Sequence, residues 1–269
     1  MEASMEFRPC IDIHNGQVKQ IVGSSLVDKN DKAVENFVAS ADAAYYAKLY
    51  REKGLKGGHV ILLNPESSPY YEQTKAQAVS ALGAYRGGLQ VGGGIHAENA
   101  ALFLEAGASH VIVTSYVFYD GHIHMERLDR LCQTVGREHL VLDLSCRWRG
   151  DDYYIVTDRW QNFTEEKVDS QTLDMLAGYC DEFLIHAVDV EGKSQGIEEA
   201  LVRQLGAWSK SAGNKIPVTY AGGVHSYEEI RRLGTLGGGS IHVTIGSALE
   251  IFGGRLLLDE VIRTCNEKH

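Results

Sequence analysis

The segment 91-VGGGIHAENAALFLEAGASHVIVTS-115 has a counterpart later in the chain, 221-AGGVHSYEEIRRLGTLGGGSIHVTIGS-247. Each runs through a Gly pair, an apolar residue and His, then a helix, then a strand containing Val-Thr. The Gly-Gly-x-His blocks lie 129 residues apart, Gly93 to Gly222. The Asp-centred strands 11-IDI-13 and 142-LDL-144 lie 131 apart. Two unrelated features with nearly one offset point to a duplicated half of four β/α units. Generic similarity among β/α units is the competing explanation.

Working outward, eight short runs of β-branched and aliphatic residues recur: 7-FRPCIDI-13, 59-HVILL-63, 88-GLQV-91, 110-HVIVT-114, 139-HLVLDL-144, 183-FLIHAVD-189, 216-IPVTY-220 and 241-IHVTI-245. Helical patterns lie between them, for example at 41–54, 97–107, 124–136, 197–213 and 226–237, and several end in Gly, the usual left-handed stop. Continuously apolar strands are buried on both faces, which suits a parallel sheet beneath helices. The pattern predicts an α/β fold, a closed (βα)₈ TIM barrel with an internal (βα)₄ half-repeat. It forms a single domain over 1–269, with half-barrels at roughly 7–136 and 137–266. A doubly wound open sheet fits less well, because no G-x-G-x-x-G follows the first strand.

Composition agrees. The 269 residues are 44% hydrophobic and 23% charged, enough for a sizeable core and against general disorder. A formal net charge of −10 argues against nucleic acid, whose phosphates demand clustered cations. It does not argue against a small phosphorylated ligand, since backbone N–H groups and helix N-termini can hold phosphate. No apolar run reaches 18 residues, so no membrane span is expected. Five Cys, an odd number without C-x-x-C, argue against a disulfide framework or zinc site and for a reducing, cytoplasmic setting. The start MEASMEFRPC lacks the apolar stretch of a signal peptide, and the residues before Phe7 read as a short leader.

Strand, Gly pair and helix start make phosphate-binding chemistry: Gly lets the backbone approach an anion, and the first helical turn offers free N–H groups. The first half provides Gly93-Gly94 and Thr114-Ser115; the second provides Gly222-Gly223 and Gly246-Ser247. The loops after strands seven and eight are the usual phosphate position of such barrels. Duplication then implies a second site, so a ligand with a phosphate at each end would bridge the mouth. Tight βα turns with no ligand are the alternative.

Asp12 and Asp143 lie near the C-terminal ends of strands one and five, related by the repeat. Two carboxylates across a barrel mouth can act as base and acid. A structural Asp accepting backbone N–H bonds is the alternative for either one. Asp189 and Glu191, after strand six, are further candidates, and His186 on that strand, taken alone, reads more often as a hydrogen-bonded core histidine than as a catalyst. No G-x-S-x-G elbow, H-E-x-x-H or metal spacing occurs. The stretch 153-YYIVTDRWQ-161 reads as a hairpin in a long loop, with Trp160 placed either to stack on a planar ligand or to staple the loop. The 14–40 stretch is long for a connection and reads as a lid; its Lys19 is either a phosphate contact or a solvated side chain.

The stretches 9-PCIDIHNGQVKQIVG-23, 89-LQVGGGI-95, 110-HVIVTS-115, 140-LVLDLSCR-147, 183-FLIHAVDVEG-192, 219-TYAGGV-224 and 244-TIGSALEIFGG-254 together resemble one enzyme family. It is the ProFAR isomerase family of histidine biosynthesis, in its eukaryotic branch, and the resemblance spans roughly residues 7 to 257. It implies an Amadori rearrangement of an N-linked aminoaldose carrying two phosphates to the aminoketose, by acid–base catalysis. No cofactor, metal, nucleic acid or membrane is implied, and the expected state is a monomer. Asp12 matches the family's base and Asp143 the strand-five carboxylate that acts as acid or supports it. The Gly and Ser/Thr turns match its phosphate grips, Trp160 its stacking aromatic, and Arg147 closes the D-L-S-C-R motif. Three positions depart from the bacterial pattern: 62-LLNPES-67 replaces an acidic stretch, His96 stands for Arg, and Glu191 precedes Gly192 in place of Asp. The partner of Asp12 is therefore Asp143, Glu191 or Asp189. The cyclase subunit of imidazole glycerol phosphate synthase and a non-catalytic phosphosugar-binding barrel are the alternative readings.

Overall fold

A computed structural model describes residues 5–21, 35–157, 160–190, 196–213 and 216–268. The chain begins with strands β1 (Cys10–His14), β2 (Gln17–Ile21) and β3 (Glu35–Val38), then helix α1 (Ala43–Glu52) and β4 (Gly58–Leu62). Helix α2 (Tyr71–Ala84), β5 (Leu89–Gly92), α3 (Ala100–Ala106) and β6 (Val111–Val113) follow. A small ribbon of β7 (Phe118–Tyr119) and β8 (His122–Ile123) precedes α4 (Met125–Val135) and β9 (Leu140–Asp143). Strands β10 (Cys146–Arg149), β11 (Asp152–Thr157) and β12 (Asn162–Lys167) form a separate antiparallel sheet. The chain then alternates through α5 (Ser170–Leu176), β13 (Glu182–His186), α6 (Glu199–Ser211), β14 (Val218–Ala221), α7 (Tyr227–Leu236), β15 (Ile241–Thr244) and α8 (Leu258–Cys265).

The eight expected strands are β1, β4, β5, β6, β9, β13, β14 and β15. Neighbours in this series pair parallel. The ring closes where Phe7 bridges Val243 in parallel, with the Arg8 N–H donating to the Val243 carbonyl at 2.8 Å and the Val243 N–H to that of Glu6 at 3.0 Å. This is the barrel that the repeat predicts. Strand β6, Val-Ile-Val, is buried throughout, which is why it reads as an unbroken apolar run. Helices pack outside on apolar stripes. In α1, Ala43, Tyr46, Ala47 and Tyr50 are buried at helical spacing, and the Tyr50 hydroxyl donates to the Cys10 carbonyl at 3.0 Å.

Side chains alternate along a strand, so every second residue enters the bore. At the N-terminal end, Glu182 accepts hydrogen bonds from Arg8, from Gln90 Nε2 at 2.9 Å and from Thr219 Oγ1 at 2.6 Å. Above it sits an apolar layer of Ile61, Ile112, Val141 and Leu184. Two residues further on, β13 presents His186, and the same step along the first strand carries Arg8 through Cys10 to Asp12. Polar plug, apolar layer and reactive mouth are thus successive layers of one barrel.

Two expected loops are more ordered than the sequence reading has them. The 14–40 stretch contains β2 and β3, which extend the sheet antiparallel from β1; residues 22–34 between them lie outside the described residues. The hairpin expected at 153–161 is part of the three-stranded sheet that covers one side of the mouth. No helix among the described residues is long and apolar enough to cross a membrane.

Candidate active site

The mouth of the barrel opens into a cavity of about 510 Å³. Its wall collects residues from the C-terminal ends of the barrel strands, because the βα loops all leave from that face. Asp12, from β1, and Asp143, the last residue of β9, both line it. Asp12 Oδ2 lies 3.4 Å from Gln20 Nε2, whose strand folds back over β1.

Asp143 sits in a polar cluster. Its Oδ1 accepts from the Ser145 hydroxyl at 2.8 Å and lies 3.3 Å from His186 Nδ1. Burial raises the carboxyl's pKa, but the adjacent His186, the two hydrogen bonds and His59 outweigh it, and the net shift is downward. His59, from β4, faces His186 edge-on with ring centroids 6.3 Å apart. Desolvation in the bore and the neighbouring His186 push His59 down to about 3, against the pull of Asp143, so its imidazole is neutral near pH 7.

The two Gly-rich loop pairs lie on the same cavity wall: Gly93-Gly94 with Thr114-Ser115, and Gly222-Gly223 with Gly246-Ser247. At two of these glycines the backbone requires the residue type. Gly93 has φ +94°, and a Cβ there would stand 2.0 Å from the Leu62 carbonyl oxygen. Gly223 has φ +74°, and its Cβ would stand 1.9 Å from the Gly196 carbonyl oxygen. Behind Gly223, Ser226 caps α7: its side chain accepts the Glu229 N–H at 3.3 Å, and Glu229 in turn accepts the His225 N–H at 2.8 Å. These bonds fix the direction in which the loop enters its helix.

Other candidates fall differently. Trp160 lines the cavity from the turn between β11 and β12, at φ +66°, with its ring 5.9 Å from that of His186 and tilted 41°. Lys19 is buried at 5% exposure on β2, so it is not solvated, and the neighbour that lines the cavity is Gln20. Asp189 accepts from Arg147 Nε at 2.8 Å and from the Trp148 N–H at 3.1 Å. That ion pair ties β10 to the loop after β13, and neither residue lines the cavity. Glu191 lies outside the described residues.

Gln20, His59, Asn64, Tyr116, Ser145 and Thr157 also line the cavity and were not singled out from sequence. For His59 a signal existed: a polar residue opening an otherwise apolar barrel strand needs a partner in the bore. Among the described residues no group of three or more His, Cys, Asp or Glu could hold a metal ion.

Comparison with known proteins supplies the remaining observation. A family model described as histidine biosynthesis protein matches residues 6–255. A chloroplastic 1-(5-phosphoribosyl)-5-((5-phosphoribosylamino)methylideneamino) imidazole-4-carboxamide isomerase of Medicago truncatula is 51% identical, covering 100% of this chain and 84% of its own. Isomerases of the same name from Neurospora crassa, 46% identical with 93% of each chain covered, and Saccharomyces cerevisiae, 41% identical with 98% of each, are also similar.

Proposed function

The chain belongs to the histidine biosynthesis protein family, and from that premise we propose that it is the isomerase for which these relatives are named. It converts the aminoaldose bis-phosphate ProFAR into its aminoketose by an Amadori rearrangement. The observation that carries this reading is the placement of Asp12 and Asp143 in one cavity between two repeat-related Gly loops. The net reaction moves hydrogen from C2 to C1 of the opened ribose. Substrate and product are isomers, so protons are all the protein has to handle and no redox cofactor is called for.

Asp12 is the base that removes the C2 proton, and the Asp143 side of the cavity supplies the acid that opens the ring. One phosphate is held at Gly93-Gly94 and Thr114-Ser115, the other at Gly222-Gly223 and Gly246-Ser247, by backbone N–H groups and hydroxyls. Trp160 stacks on the planar imidazole carboxamide. Both carboxylates and both grips belong to one chain, which supports a working monomer. Five free thiols support a reducing compartment, for which we take the cytoplasm; the Medicago relative's name places that protein in the chloroplast.

The test is a spectroscopic assay of purified protein with the aminoaldose and no ammonia or glutamine. Formation of the aminoketose is expected. Binding without conversion would favour a non-catalytic barrel, and imidazole glycerol phosphate formed from the aminoketose with added ammonia would favour the cyclase; either result overturns the assignment.

Gly93→Ala is expected to raise KM about tenfold or more, roughly 1.4 kcal/mol of lost binding. The new Cβ must displace the Leu62 carbonyl and with it the loop that holds the phosphate. Gly83→Ala on α2 is the control, because a Cβ there meets nothing within 4 Å, the backbone is helical and the residue does not line the cavity. Steady-state kinetics of both variants check this, and equal KM values would count against a close backbone approach at Gly93.

A further inference from the structure

Opening the ribose ring requires a proton at the ring oxygen, and among the described residues the cluster around Asp143 holds three titratable groups able to be considered for it. Asp143 is tied to Ser145 and His186, and its carboxyl is shifted toward the ionised form, which makes it a poor donor. His59 is buried at 4% exposure and neutral. His186 remains. It is the last residue of β13, lines the cavity, keeps 15% of its side chain exposed and lies beside Trp160. A carboxylate at an imidazole nitrogen, itself fixed by a hydroxyl, orients the ring and favours its charged form; the same pairing orients catalytic histidines on unrelated folds.

We propose that His186 is the catalytic acid of ring opening, with Asp143 and Ser145 as positioning residues that hold its imidazole. This rests on the isomerase reading above. The amino nitrogen's lone pair forms the C1=N bond, the C1–O ring bond breaks with both electrons going to oxygen, and that oxygen takes the imidazolium proton. Asp12 then takes the C2 proton, giving the enolamine. Asp12 returns that proton to C1, and the neutral imidazole takes the C2 hydroxyl proton as the ketone forms. Both groups end in the state in which they began. Among the described residues, Asp143 from β9 and His59 from β4 are titratable groups that face His186.

The experiment compares wild type with His186→Gln and His186→Ala, using the aminoaldose across a pH series. Expected is a fall in kcat of about 100-fold, the scale of a lost general acid, with KM within about threefold. The alkaline limb of the wild-type kcat profile, where the acid loses its proton, is expected to vanish in both variants. Added imidazole is expected to restore the Ala variant about fivefold or more. A His186→Gln variant with a native circular dichroism spectrum and kcat within about threefold of wild type would overturn the proposal, as would an alkaline limb that survives. If the Gln variant does not fold, the limb and imidazole rescue in the Ala variant decide. These results leave the isomerase reading intact so long as wild type makes the aminoketose; wild type that makes none overturns that reading instead.

Discussion

Asp12→Asn is expected to abolish measurable isomerisation, with kcat reduced about 10²–10⁴-fold, the usual worth of a general base. The substitution preserves size and leaves a side-chain oxygen that can accept from Gln20 Nε2, now at 3.4 Å from Asp12 Oδ2. What it removes is the ability to take the C2 proton. Asp12 lies at the mouth, away from the apolar layer, so the unfolding midpoint should stay within a few degrees of wild type. The substrate should still bind, because both phosphate grips are untouched. Steady-state kinetics with the aminoaldose, beside a thermal melt, checks the prediction. A folded Asn variant of near-normal kcat would remove Asp12 from the mechanism. A variant with normal kcat and raised KM would make it a binding residue.

The second large effect concerns stability and lies at the opposite end of the bore. Glu182→Ala is expected to cost about 3–5 kcal/mol, the range for removing one partner of a buried charge pair. Glu182 is 4% exposed and Arg8 8%. Without the carboxylate, Arg8 is left with its 3.6 Å ion pair to the exposed Glu6, and the Gln90 and Thr219 donors lose their acceptor. Against a typical stability of about 5–15 kcal/mol, such a loss is a large fraction of the total. Activity per folded molecule should change little, because the N-terminal face of the barrel carries stability and the C-terminal face carries chemistry. Urea unfolding followed by fluorescence measures the cost. The double variant Arg8→Met with Glu182→Leu should recover the part due to the ion pair, since an apolar pair avoids the desolvation that the ions pay, while Gln90 and Thr219 still lack their acceptor. A loss below about 1 kcal/mol in Glu182→Ala would mean that the plug is solvated in solution.

Much of this was legible from the chain alone. The eight strands stand out because burial on both faces forces continuous apolar runs, and each lies within a few residues of its expected place. Asp12 and Asp143 were legible because the C-terminal end of a barrel strand defines the mouth, so a carboxylate there has a known address. The Gly pairs were legible because their positive φ angles and close carbonyl contacts at Gly93 and Gly223 admit no other residue. Lys19 and Gln20 show the limit. Once 17–21 is a strand, alternation sends neighbouring side chains to opposite sides, and the cavity receives Gln20. Read as a lid loop, the same stretch carries no such alternation.

The sequence by itself determined the barrel, its internal repeat, and the carboxylates and Gly turns at the mouth. Each of these follows from a periodicity or from a backbone requirement that is local in the chain. Only the tertiary structure decided which distant side chains meet. Asp143 and His186 are 43 residues apart and face each other at 3.3 Å, Arg147 and Asp189 are 42 apart and pair at 2.8 Å, and His59 reaches His186 only because the ring closes through Phe7 and Val243. Barrel closure sets how far each strand is displaced along its neighbour, and that displacement brings these groups to one height in the bore. No local pattern encodes it, so the downward shift of Asp143 and the neutral state of His59 became visible only in the folded molecule.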